Sequence, residues 1–65
     1  MKKEKFLKHL RQNNCYPTGI QKGSHAKFIN LSNGKQTTIP MHNEIIDVLA
    51  KNICKQLDIP IVGNN

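Results

Sequence analysis

Apolar and polar positions alternate in a different rhythm in each part of the chain. Between Lys2 and Asn13 the apolar residues Phe6, Leu7 and Leu10 fall at i, i+1 and i+4, and the other sides carry Lys3, Glu4, Lys5, Lys8 and Arg11. That spacing predicts a short amphipathic helix with one stripe facing a core. Asn13-Asn14 ends it. In Pro17-Thr18-Gly19 the proline lacks the ladder N–H and the glycine favours a turn or bulge, so a long continuous first strand is not expected. Gly19 to Lys22 is read as a brief strand. His25 to Leu31 then alternates, with Ala26 and Phe28 on one side and His25 and Lys27 on the other, the signature of a half-buried strand.

Asn33-Gly34 is the strongest local signal, because a two-residue type I′ turn needs positive φ at both positions. With Ser32 facing Lys35, Phe28 faces Ile39 and Asn30 faces Thr37 on one side of the hairpin. On the polar side Lys27 faces Pro40 and His25 faces His42, with Pro40 marking where regular pairing ends. For the second helix, Asn43 is the expected N-cap, with Glu44 and Asp47 in the first turn. Ile46, Leu49, Ala50, Ile53 and Leu57 aim one face at the sheet, Lys51 and Lys55 stay in water, and the helix ends near Leu57 or Asp58. Pro60 blocks continuation, so residues 61–65 form a frayed tail or an extended segment added to a sheet edge. The predicted order is helix, three antiparallel strands, helix. This is an α+β sandwich of two layers, with a single domain over 1–60, a tail over 61–65 and one polar sheet face left open.

Sixty-five residues make one small domain that hides only about 60% of its unfolded surface, which excludes a two-domain enzyme and makes a large enclosed cofactor pocket unexpected. Ten Lys and Arg against four Asp and Glu give a net charge of +6 and a pI near 9.7, a field that attracts polyanions. Tyr16, Phe6 and Phe28 are the only aromatics, too few for a base-stacking platform, so contacts to phosphate fit better. Cys15 and Cys54 are too few for a disulfide framework and lack metal-ligand spacing with the histidines. They are read as buried thiols, with no metal or cofactor site. The charged start leads into no apolar signal core, and no apolar run approaches the ~18 residues of a membrane span. A cytoplasmic protein with no membrane contact is expected.

Candidate chemistry centres on Gly23-Ser24-His25, with Lys22 and Lys27 adjacent. Glycine admits close backbone approach, serine can bond a phosphate oxygen, lysines neutralise it, and an imidazole with an unperturbed pKa of about 6.5 moves protons near neutrality. For RNA the 2′-hydroxyl is a built-in nucleophile that needs no metal. The tripeptide is a weak pattern, however, and on chemistry alone the bland reading is favoured: a turn glycine, a capping serine and a solvated strand histidine. His42 is equally a loop residue before the second helix, and His9 sits on a solvated face among Lys8 and Arg11.

The run Gln21-Lys22-Gly23-Ser24-His25-Ala26-Lys27-Phe28, then Asn33-Gly34, then Thr38-Ile39-Pro40-Met41-His42 before a helix containing Lys55-Gln56-Leu57, resembles the HicA family of toxins. The resemblance covers most of the chain. It implies a double-stranded-RNA-binding-domain-like α-β-β-β-α fold, with two helices on one face of a three-stranded antiparallel sheet. It also implies the toxin of a type II toxin–antitoxin system, a metal-independent endoribonuclease that cleaves mRNA and is neutralised by a HicB-type antitoxin. The family's catalytic histidine after Gly-Ser carries onto His25. The resemblance names only that histidine; from the chemistry of the residues Ser24 is expected to position phosphate and Lys22, Gly23, Lys27 and Lys35 to contact RNA, and from the hairpin register His42 is expected to assist. The chain departs from the family at Asn14-Cys15, where a glycine and an aromatic are common, and at Pro17-Thr18-Gly19, where the first strand is usually smoother. Two rival classes are a non-catalytic RNA-binding module of the same fold and a pure protein-interaction subunit.

Overall fold

A computed structural model describes residues 1–63, apart from the side chains of residues 20–22. The elements are α1 (Lys3–Gln12), β1 (Cys15–Lys22), β2 (His25–Asn30), β3 (Gln36–Pro40) and α2 (Asp47–Leu57). The strands form one antiparallel sheet in the order β1-β2-β3. Phe6 and Leu10 of α1 and Ala50, Ile53, Cys54 and Leu57 of α2 close over Cys15, Ala26, Phe28 and Ile39 of the strands, all buried. This is the expected α+β fold of two layers, with both helices on one sheet face and the other face open.

α1 ends through its two asparagines. Asn13 Nδ2 donates to the His9 carbonyl at 2.9 Å, and Asn14 takes φ +67 while its N–H donates to the Arg11 carbonyl at 3.1 Å. Asparagine tolerates this left-handed position best after glycine, so the chain turns straight into β1. β1 runs eight residues, longer than expected, because the Pro17-Thr18-Gly19 interruption is absorbed within it. The register shifts between Pro17↔Phe28 and Gln21↔Ala26, with Gly19 at φ +89. An edge strand can lose one ladder donor to proline and bulge at a glycine without ending.

The β2–β3 hairpin has the expected faces but a different register. His25 pairs with Pro40, Ala26 with Ile39, Lys27 with Thr38 and Phe28 with Thr37, so Phe28 does not face Ile39 and His25 does not face His42. The loop is longer than a two-residue turn. The Asn30 N–H donates to the Lys35 carbonyl at 2.8 Å, the Gly34 N–H donates to the Asn30 carbonyl at 2.7 Å, and Gly34 takes φ +77 while Asn33 stays at negative φ. The reason lies 24 and 27 residues away in α2. Asn30 Nδ2 and Asn33 Nδ2 both donate to the Leu57 carbonyl, at 2.8 and 3.1 Å. α2 closes on Asp58 at φ +57, with Asp58 N–H to the Lys55 carbonyl and Ile59 N–H to the Cys54 carbonyl. That pairing leaves the Leu57 carbonyl to be satisfied from outside the helix. The hairpin is shaped to cap a helix, and the turn dipeptide follows.

α2 starts at Asp47, not at Asn43. Residues 43–45 run instead alongside the start of the chain: Lys2 bridges Glu44, the Lys3 N–H donates to the Asn43 carbonyl at 3.0 Å, and the Ile45 N–H donates to the Met1 carbonyl at 2.8 Å. This pairing puts Ile45 in the core and leaves Ile46, expected on the buried helix face, 67% exposed. After Pro60 the described part of the tail, residues 61–63, joins no strand and lies along α1 and α2, with Val62 buried; positions 64 and 65 of the expected tail lie outside the described residues.

Candidate active site on the open sheet face

Alternation along β2 sends Ala26, Phe28 and Asn30 into the core and leaves His25 and Lys27 exposed on the opposite face. Lys22 and His25 are paired across a two-residue turn, Gly23-Ser24, with Gly23 at φ +58. A type II′ turn needs that value at its first central position, which is why glycine stands there. A Cβ added at Gly23 would meet nothing within 4 Å, so there is open space beside the turn. The Ser24 carbonyl accepts the Met41 N–H at 2.6 Å, which extends the β2–β3 ladder one step beyond His25↔Pro40 and fixes the turn against β3. Ser24 itself is exposed.

The predicted site residues are brought together only in part. His25, Ser24, Gly23 and Lys27 share one end of the open face, and Thr38, which the sequence reading left unassigned, pairs with Lys27 there. Strand alternation would have found Thr38 once the register was known. Lys22 faces His25 by backbone register, while its side chain lies outside the described residues. His42 is exposed and stands two residues past the end of β3, so the register expected to set it opposite His25 does not form. It follows the Met41 bond to Ser24, which leaves it at the turn end of the sheet. Lys35 sits beside Asn30, at the far end of β2 from His25. Five residues of strand, about 17 Å, separate the two. His9 belongs to the helical layer, where its Nε2–H donates to the Pro60 carbonyl at 2.7 Å. Cys15 and Cys54 are free and fully buried, and burial pushes both thiols up. Among the described residues, no three His, Cys, Asp or Glu side chains converge as metal ligands, and no helix is long and apolar enough to cross a membrane.

Fold and site define a class: a small basic α+β domain of the double-stranded-RNA-binding type, with an imidazole and a lysine on its open sheet face. The family model for the HicA toxin of bacterial toxin–antitoxin systems matches residues 4–59, and the chain belongs to that family. Membership implies an antitoxin as partner. No curated protein and no solved structure matches the chain.

Proposed function

We propose that this toxin is a metal-independent endoribonuclease that cleaves mRNA, with His25 as the catalytic residue. The observation that carries the reading is the placement of His25: exposed, on the open sheet face, with Lys27 two residues on along the same face and an exposed Gly23-Ser24 turn before it. A base removes the proton from a ribose 2′-hydroxyl. The 2′-oxygen then forms a bond to the adjacent phosphorus as the bond to the 5′-oxygen breaks, and an acid protonates that leaving oxygen. The products are a 2′,3′-cyclic phosphate and a 5′-hydroxyl, and no electrons are transferred. An imidazole suits both proton transfers near neutral pH. Lys27, with Lys22 across the turn, offsets charge on the phosphate, Ser24 bonds one of its oxygens, and Gly23, with no side chain, lets the RNA approach closely. Lys35, at the other end of the hairpin, contacts RNA away from the scissile bond. A HicB-type antitoxin silences the enzyme by covering His25. The same face offers it an apolar anchor in Tyr16, 39% exposed and paired with Ile29 across β1 and β2.

The test is incubation of RNA with the protein in EDTA, followed by analysis of the new ends. Cleavage to cyclic phosphate and 5′-hydroxyl ends supports the reading. Salt-sensitive binding without cleavage makes the protein a non-catalytic RNA-binding module, and neither makes it an interaction subunit.

A further inference from the structure

The positive charge of this protein is concentrated away from His25. Residues 2–11 hold Lys2, Lys3, Lys5, Lys8 and Arg11, half of the ten cations, against Glu4 alone. On α1, Lys5, Lys8, His9 and Gln12 fall within an arc of about 100° on one side of the helix, clear of the Phe6 and Leu10 stripe. The chain after α2 lies along this arc. Asp58 at φ +57 turns it back, the His9 Nε2–H bond to the Pro60 carbonyl ties it to α1, and the Val62 backbone meets the Cys54 thiol while its side chain is buried. A groove of ≈ 280 Å³ results, with Lys5, Lys8, His9 and Gln12 on one wall and Val62 and Gly63 on the other.

We infer that this groove between α1 and the returning tail is a second phosphate-binding site, which holds the backbone of the RNA that His25 cuts. The inference rests on the RNA reading above and adds a surface to it. From Lys5 to Gln12 the helix rises about 10 Å, long enough to lie along more than one phosphate of an RNA strand. A groove of that length, open along one side and lined by two lysines, matches a ligand with repeated charges better than a single small anion. Among the described residues no Phe, Tyr or Trp lines it, and the His9 ring is tied to the Pro60 carbonyl, so it offers phosphate contact in place of a base-stacking platform, and binding there is independent of sequence. The whole molecule measures 28 × 26 × 17 Å, short enough for one RNA to reach both layers.

The experiment measures the affinity of a short RNA for the His25→Ala protein, which leaves the RNA intact, across a range of salt concentrations. In that background Lys5→Gln/Lys8→Gln is compared with Lys51→Gln/Lys55→Gln, which removes the same charge from α2, and thermal melts verify folding. The α1 pair is expected to reduce the slope of log affinity against log salt by about 1.4, at about 0.7 per contact to single-stranded RNA. The α2 pair is expected to leave the slope as it was. Equal changes in both pairs, an unchanged slope in the α1 pair, or no RNA binding at all would overturn the site. So would loss of binding to anionic lipid vesicles or to an acidic peptide with RNA affinity intact. If RNA binds through Lys5 and Lys8 but the protein with His25 does not cut it, the proposed activity fails and the groove stands. If RNA is cut and the slope ignores α1, the groove fails and the activity stands.

Discussion

Replacing Asn30 tests how the hairpin is held to α2. Its amide is 3% exposed, Nδ2 donates to the Leu57 carbonyl at 2.8 Å, and Oδ1 accepts the Ser32 N–H at 2.8 Å. Asn30→Ala removes both bonds, each worth about 1 kcal/mol net, and leaves a small void. The Leu57 carbonyl keeps the Asn33 bond at 3.1 Å and is not orphaned, so the expected loss is about 2–3 kcal/mol. In a domain of this size that lowers the melting temperature by roughly 10–20 °C. Asn30→Asp keeps the shape and loses the donor. At neutral pH it sets a buried carboxylate against a carbonyl oxygen, at a cost of about 3–5 kcal/mol. Protonated, the same carboxyl donates to Leu57 and the cost falls to about 1 kcal/mol. The folded-state pKa of the new aspartate therefore lies above its unfolded value of about 3.9. Its stability contribution is full below that value and is lost as pH rises through the folded pKa, by at most about 1.4 kcal/mol per pH unit. Urea unfolding followed by circular dichroism between pH 3.5 and pH 7 (chosen to span about 3.9) reads both variants. An Asn30→Asp penalty that does not change with pH, or an Asn30→Ala loss below about 0.5 kcal/mol, would refute the capping role.

Three further outcomes are expected. Lys27→Ala weakens RNA binding across sequences and lowers the salt slope by about 0.7, as read by titration at several salt concentrations; an unchanged slope would remove Lys27 from the phosphate contacts. Because burial raises the folded pKa of the Cys15 and Cys54 thiols, the stability linked to them is full below the unfolded thiol value of about 8.5 and is lost as pH rises beyond it. Melting curves should fall more steeply above that pH for the parent than for Cys15→Ala/Cys54→Ala, and equal slopes would contradict the assignment. His42→Gln tests the second proton position through the pH–rate profile: with β3 ending at Pro40, both limbs are expected to persist, and loss of one limb would make His42 the partner of His25.

Local signals were legible where local chemistry decides. The 3.6-residue rhythm located both helices, and the alternation around Ala26 and Phe28 chose the right faces of β2, so His25 and Lys27 were placed on the open side. What the sequence could not show is long-range. Asn33-Gly34 reads as a two-residue turn until Asn30 and Asn33 are seen bonding the Leu57 carbonyl. Asn43 reads as an N-cap until the pairing of Met1–Lys3 with residues 43–45 claims that segment for an extended path. The first departure moves His42 out of register with His25, so the strongest turn signal in the chain misplaced one candidate site residue. The groove beside α1 was hidden for the same reason. Its lysines read as charge serving solubility and general RNA contact, with His9 on a solvated face, and only the tail folding back through His9 and Val62 gives that face a second wall.

One rate decides whether His25 carries the proton transfers proposed for RNA cleavage. The most direct measurement is the rate at which His25→Ala cleaves RNA in EDTA against the parent, with circular dichroism and melting curves showing that the variant folds. His25 is exposed and contributes nothing to the core, so the fold should persist. The expected rate is lower by about 10²–10⁴-fold, the usual worth of a positioned general acid or base. A folded His25→Ala protein that cuts RNA as fast as the parent would contradict it.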